Sequence, residues 1–389
     1  MMTDPCIALL RDLVAIDSVN PSLVQGARGE GEVANAIAGH MTQLGLDVHL
    51  QEVAPGRPNV IGVLEGQQPG PSLMYCGHID TVGVEGMRAP FTPDIRDGRL
   101  YGRGSQDMKG GVAAMIDAAR VALERGFSRG RLILAAVVDE EFASIGADEL
   151  VRDWRADAAV VTEPTDLQIG VGHKGFAWFE VETAGRAAHG SRPADGRDAI
   201  VRMGRVLQRL EQLDRTLQSR AAHPIMGTAS LHASTIAGGH EWSIYPDRCV
   251  LHVERRTVSG ESAAAAEQEL HVILEALRHE DVQFDGSAKL VFHRSPYETP
   301  TNHPLTAMIA ELAAARGARS HLVGMSFWTD AAILGDAGIP SVLFGPGGAG
   351  LHSVEEYVNV ADVLTCRDVL ADLAVGWSSQ DKKGRRPGL

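Results

Sequence analysis

Cysteine is scarce in this chain: 4 residues in 389, namely Cys6, Cys76, Cys249 and Cys366, far apart and never as CxxC. That spacing excludes a thiolate zinc finger or a thioredoxin-like redox pair, and it fits a reducing compartment. Long hydrophobic runs are missing too. The longest apolar stretches, such as 132–138, have only strand length, so no transmembrane helix is predicted. The first residues lack a basic stretch followed by an apolar one. Instead Ile7, Leu10 and Val14 recur at helical spacing behind Asp4, which predicts a folded amphipathic helix and a cytoplasmic protein. Positive charge is in deficit, with 36 Lys and Arg against 50 Asp and Glu for a net charge of −14. Such a surface repels phosphate backbones and anionic headgroups, so neither nucleic acid nor membrane is expected as a partner. The basic run at 382–386 sits beside Gly and Pro and reads as a tail. No GxSxG elbow occurs, which removes the serine hydrolases.

What is present is an ordinary folded composition, 44% hydrophobic and 22% charged, at a length that predicts about two domains. Three textures follow one another. Over 1–175, helical patterns (33–44 and 109–125) alternate with apolar strands near 47–53, 59–64, 72–79, 132–138 and 158–162. Continuous apolar strands separated by helices predict an α/β fold whose central sheet is mostly parallel and covered on both faces. Over 176–292 the pattern changes to β-α-β-β-α-β, with strands at 176–183, 229–237, 249–256 and 288–293 and helices at 198–213 and 262–278. That order predicts a smaller α+β, ferredoxin-like domain with an open sheet. Residues 293–389 return to the first texture, with helices at 305–316 and 360–374 and a strand at 341–344. One catalytic domain (1–175 with 293–389) interrupted by an inserted one (176–292) is the expectation.

Acidic and histidine residues fall where those strands end. His78-Ile79-Asp80 ends one, Asp139-Glu140-Glu141 the next and Thr162-Glu163-Pro164 a third, while Asp107 precedes the long helix and His352 follows the 341–344 strand. Ligands of open α/β sheets gather at the carboxyl ends of strands, so these residues could share one crevice. Singly, each has a plainer reading: a core histidine, a solvated Glu-Glu turn, an Asp that caps a helix. Together, carboxylates on successive strand ends repel one another, and a divalent cation is the simplest remedy. Two imidazoles with several carboxylates and no thiolate suit Zn2+, Mn2+ or Co2+ in a hydrolytic site.

The same residues carry a resemblance that covers nearly the whole chain. Gly77-His78-Ile79-Asp80-Thr81-Val82, Gly102-Arg103-Gly104-Ser105-Gln106-Asp107-Met108-Lys109-Gly110-Gly111, Asp139-Glu140-Glu141, Thr162-Glu163-Pro164 and Leu351-His352-Ser353 resemble, in order, the motifs of the M20 metallopeptidases. That family includes acetylornithine deacetylase, succinyl-diaminopimelate desuccinylase, aminoacylase-1 and the folate-cleaving glutamate carboxypeptidase. The resemblance implies a zinc-peptidase-like catalytic domain and an inserted lid and dimerisation domain. It implies two Zn2+ ions, with Co2+ or Mn2+ able to substitute, bridged by Asp107. His78 and Glu163 would complete one site, and Glu141 and His352 the other. Asp80 would accept a hydrogen bond from the His78 ring, and Glu140 would be the general base. In the insert, His189 stands where the family has an oxyanion-stabilising histidine that reaches in from a partner subunit. Arg256 stands where relatives hold a substrate α-carboxylate, with Arg255 an alternative on the opposite strand face. Ser243 departs from the asparagine that relatives often place three residues before the proline, here Pro246.

The expected activity is therefore metal-dependent hydrolysis of an N-acyl-amino acid, of the acetylornithine deacetylase kind, by a homodimer formed through the insert. A dipeptidase or carboxypeptidase of the same family is the alternative. Phe327, Trp328 and Thr329-Asp330-Ala331 are expected at the substrate. Two other classes fit less well. Gly345-Pro346-Gly347-Gly348-Ala349-Gly350 has GxGxxG spacing, but no βαβ unit follows and His352 interrupts the helix start, so it reads as a turn that delivers His352. A binding protein that merely kept the fold has no use for Glu140.

Overall fold

Residues 132–138 give a strand for the reason their composition predicts: Leu132, Ile133, Leu134, Ala135, Ala136 and Val137 are all buried, with no polar face to turn outward. In the computed structural model, which describes residues 4–318 and 320–380, this segment is the strand Arg129–Val137. It pairs in parallel with Gln68–His78, which pairs in parallel with Ala159–Val161, which in turn pairs in parallel with Ser341–Leu343. These four strands form the centre of the larger sheet. Its flanks are antiparallel: Arg57–Glu65 and then Asp47–Ala54 on one side, and Ile169–His173 on the other. The sheet is thus mixed, parallel at its core and antiparallel at its edges. The basic run at 382–386 lies outside the described residues.

The chain divides into two compact units. The first comprises Met1–Val171, Thr299–Val323 and Thr329–Leu389, and it contains the sheet's parallel centre. Helix Gly110–Glu124 is buried along most of its length, which its small residues permit: five alanines and two glycines in fifteen positions. It packs on helix Val360–Ser378. Ala at these positions keeps helix propensity while letting backbones approach.

The second unit comprises Gly172–Glu298 and Gly324–Trp328. Its four strands are antiparallel in the order Ser230–Gly238, Arg248–Thr257, Gly175–Ala184, Asp285–Arg294. With helices Ala199–Ser219 and Ala263–Glu280 this is the ferredoxin-like arrangement. Alternation along Gly175–Ala184 sends Ala177, Phe179 and Val181 into a core shared with Met203, Val206, Leu270 and Leu274 from the helices. Both helices begin at side-chain caps, Asp198 on Val201 N and Ser262 on Ala265 N.

Candidate active site

Because the four central strands run the same way, their carboxyl ends come to one edge. His78 is the last residue of its strand. After Arg129–Val137 the chain turns sharply at Asp139, whose φ of 71° is rare for a non-glycine residue, and presents Glu140 and Glu141. Glu163 follows Ala159–Val161, and His352 stands on the loop beyond Ser341–Leu343, itself at φ 57°. Asp107 lies in a wide helical turn, Ser105–Lys109, that departs from helical geometry at Asp107 and Met108. Its carboxylate does not cap the helix that follows, which has no side-chain cap. It lies between two imidazoles instead, 3.0 Å from His78 Nε2 and 3.3 Å from His352 Nε2.

Two glycines make the approach possible. A Cβ on Gly111 would lie 2.0 Å from the Thr162 carbonyl oxygen, so the helix start could not otherwise pack on the strand end that carries Glu163. Gly350, at φ 94°, would set a Cβ 1.9 Å from the Glu355 carbonyl oxygen. The glycines after 344 were expected to form one tight turn; instead Gly348–Ala349 is a short strand paired with Tyr357 and Val358, and the chain bends only at Gly350, into the His352 loop.

Two overlapping groups of donors each lie within 4.8 Å: His78, Asp107 and Glu141, and His78, Glu140 and Glu163. His352 Nε2 is 3.1 Å from Glu141 Oε2. Glu141 Oε1 is buried with no hydrogen-bond partner among the described residues. Asp80 is fully buried, but its part differs from the expectation. The His78 ring meets the Asp80 backbone carbonyl (Nδ1 to O, 3.0 Å) rather than the carboxylate, whose Oδ1 is 3.6 Å away. The carboxylate turns the other way and accepts from the backbone N–H of Glu140 (3.1 Å) and Glu141 (3.2 Å). It thus holds the turn that carries both glutamates.

Charge in this crevice is strongly out of balance. Burial, then the neighbouring Glu163 charge, pushes Glu140 well above the usual carboxylate range, and burial does the same to Glu163. Glu141 rises to about 7, through burial and then the Asp107 charge. For His78 burial opposes the charged ring, yet the hydrogen bond to Asp107 and the charges of Glu163 and Glu140 prevail and hold it well above its ordinary value. His352 is pushed up to about 10 by its hydrogen bonds to Asp107 and Glu141. A set of imidazoles and carboxylates with an orphaned buried oxygen and no thiolate fits borderline divalent cations.

Several members of this site were not foreseen. Asn20 donates to Asp80 Oδ2 (2.8 Å) and Asp139 Oδ1 (3.1 Å). Arg57 forks onto Glu30 (2.6 and 2.7 Å) and reaches Asp139 (2.8 Å), so a buried chain of charges backs the Glu140 turn. A charged Arg57 opening an otherwise buried strand was the available signal. Its partner Glu30 comes from another element, which spacing does not reveal. Asp330, by contrast, was among the residues expected at the substrate; it is buried and adds its charge to Glu140 and Glu163.

The remaining expected residues belong to the second unit. His189 is on an exposed loop, Nδ1 2.8 Å from Ser191 Oγ. That loop is strapped to 243–245: Gly190 N donates to the Ser243 carbonyl (2.7 Å) and Tyr245 N to the Ala188 carbonyl (2.9 Å). Arg255 is buried and held by Glu261 (3.0 Å) and Glu269 (3.2 Å). Arg256 points to the other face, pairs with Glu254 at 2.5 Å and lies over the Phe176 ring. Trp328 is core packing, edge-on to His173 and Phe176, with Nε1 donating to the Ser295 carbonyl (3.1 Å).

The model of "Peptidase family M20/M25/M40" matches residues 74–375. The chain belongs to that family, whose members act on amide bonds, and it is a hydrolase of this class. Its relatives include an acetylornithine deacetylase of Myxococcus xanthus, 32% identical over 94% of this chain and 95% of the relative. An N-formyl-4-amino-5-aminomethyl-2-methylpyrimidine deformylase of Bacillus subtilis (strain 168) is 28% identical over 97% of this chain and 95% of the relative. Among solved structures, a tripeptidase from Staphylococcus aureus has a TM-score of 0.82 at 21% identity, covering 97% of this chain and 98% of its own; it shows the shared fold. No helix among the described residues is long and apolar enough to cross a membrane.

Proposed function

We propose that the protein is a zinc-dependent deacylase that removes a small acyl group from the nitrogen of an amino acid or similar amine. The observation that carries the metal reading is the Asp107 carboxylate set between His78 (3.0 Å) and His352 (3.3 Å) with Glu141 against the second imidazole. In this reading Asp107, His78 and Glu163 would hold one ion, and Asp107, Glu141 and His352 the other. A bound pair of divalent ions would supply a water of lowered pKa and polarise the scissile carbonyl.

The chain's own residues do the rest. Glu140, not spent as a ligand, takes the proton of the attacking water and passes it to the leaving nitrogen. The Asp80 carboxylate, through the Glu140 and Glu141 N–H groups, keeps base and ligand facing different ways. His189 is assigned to the developing oxyanion, supplied from a partner subunit, and Arg256 to the substrate's carboxylate. With Arg255 spent on Glu261 and Glu269, the second assignment falls to Arg256.

Gly172–Glu298 is read as the lid and dimerisation domain. Support comes from its open edge strand Ser230–Gly238, exposed over most of its length, with Ile236 uncovered there. A cytoplasmic site is part of the reading, supported by four free, buried cysteines.

Deacylation is preferred over exopeptidase action because the two relatives just named, an acetyl- and a formyl-removing enzyme, both take an acyl group off an amine. The test is a kcat/KM screen of N-acetyl, N-formyl and N-succinyl amines against dipeptides, using Zn2+-loaded protein. Preference for a dipeptide would replace deacylase with peptidase. Inertness of every amide would remove the proposal.

A further inference from the structure

We propose that Glu356, with Arg103, is a positioning residue that sets two ligand-bearing turns of the crevice at once, that of Asp107 and that of His352. The inference rests on the dinuclear reading given above.

The Glu356 side chain is wholly buried, and donors converge on both of its oxygens. Oε1 accepts from the backbone N–H of Gln106 (2.9 Å) and Asp107 (3.1 Å). Oε2 accepts from Gly104 N (3.0 Å) and from Arg103 Nη1 (2.6 Å). Three N–H groups of one turn therefore point at a single carboxylate, and one of them is the amide of Asp107 itself. The carboxylate acts as the turn's template.

Arg103 carries the constraint to the second ligand. Its Nη2 donates to the carbonyl of Ser353 (3.0 Å), the residue after His352, and its Nε to the carbonyl of Gly83 (3.2 Å). The pairing of Tyr357–Asn359 with Arg99–Tyr101 and with Gly348–Ala349 closes the same loop from both ends. His352 needs such a device. Its side chain is 55% exposed, and among the described residues its Nε2 meets the acidic groups Asp107 and Glu141, so packing does not fix it. A buried carboxylate and guanidinium are costly to desolvate, and a well-packed apolar pair would fill the space at least as stably. What an apolar pair cannot do is orient three N–H groups and a carbonyl. Supporting groups of this kind orient ligands and tune metal affinity.

The experiment compares full-length wild type, Glu356→Gln and Arg103→Lys. Each metal-free protein is titrated with Zn2+ by calorimetry, its bound ions are counted, its metal-free melting temperature is measured, and kcat and KM are taken at saturating Zn2+. Glu356→Gln should weaken at least one of the two ions by about 10–100-fold, and lower kcat at saturating metal with KM little changed. Arg103→Lys keeps the charge but loses the fork to Ser353, and it should fall between. Wild-type affinities and kcat in the variants, with only the melting temperature lowered, would overturn the positioning role and leave a scaffold. Should Glu356→Gln fail to fold, wild-type binding by Arg103→Lys overturns it equally. A wild-type protein that binds fewer than two ions would overturn the dinuclear reading itself, whatever the variants do.

Discussion

Asp80 sits enclosed in the first unit, accepting from Asn20 and from the Glu140 and Glu141 amides, while Asn20, Arg57 and Glu30 stand behind it. His189 in the second unit stands on an exposed loop, hydrogen-bonded to its near neighbour Ser191. Both are assigned to the same reaction, yet one region is over-determined and the other barely constrained. A carboxylate taken out of water must be met by donors and opposite charge as the chain folds, so the metal crevice comes with its supports built in. Exposed His189 and half-exposed Arg256 owe the fold less: His189 meets its near neighbour Ser191, and Arg256 meets Glu254 of its own strand and the Phe176 ring. Substitutions in the metal crevice should therefore damage chemistry and stability together, and those at His189 and Arg256 chemistry alone.

The largest effect on turnover is expected for Glu140→Gln. Loss of the proton carrier should lower kcat by about 10²–10⁴-fold, with metal content unchanged by elemental analysis. Arg57→Ala leaves Glu30 and Asp139 buried without their partner and should cost about 3–5 kcal/mol of stability in denaturant unfolding; a loss under 1 kcal/mol would mean the chain of charges behind Asp139 is not structural. His189→Ala should lower kcat by about 10²-fold or more and leave the unfolding midpoint where it was. A lowered midpoint would break the contrast between the regions. Arg256→Ala should raise KM about tenfold, the loss of one charge-assisted hydrogen bond, at unchanged stability. Arg255→Ala should do the reverse, because it removes the buried guanidinium between Glu261 and Glu269 and leaves them only the more distant Arg220.

The smallest effect concerns His173. Burial holds its pKa down to about 4, below the ordinary 6.5, and its Nε2 has no hydrogen-bond partner among the described residues. The unfolded chain therefore binds the extra proton. Stability from the neutral ring is full above about 6.5 and is lost as pH falls through that value towards 4. Unfolding of the second unit at pH 7 and 5 should show a difference that His173→Phe reduces; an equal difference in the variant would contradict it.

Much of this contrast was legible in the residues. The apolar run at 132–138 and the small-residue helix at 109–125 lie within two or three residues of Arg129–Val137 and Gly110–Glu124, because burial on all sides leaves a pattern that no partner is needed to read. Parallel strands have aligned ends, so the acidic residues that follow each strand fall in one crevice on sequence grounds alone. The antiparallel flanks of the sheet were not legible. Neither was the start of Gln68–His78, four residues ahead of the apolar run, since backbone pairing with Arg129 is made by groups every residue carries. Long-range supports escaped for a similar reason. Nothing in the local context of Glu30 or Glu356 shows which distant donors it meets. The Asp80 detail differed because the backbone carbonyl of the same residue met the His78 ring as well as a carboxylate does, freeing the carboxylate for the amides.

The most direct test of the metal crevice is stepwise reloading of the chelated protein with Zn2+, with bound ions and turnover of an N-acyl-amino acid followed together. Turnover should vanish on metal removal and return as two ions bind per chain, and His352→Ala should stop the binding at one. Full turnover by a protein stripped of metal would contradict it.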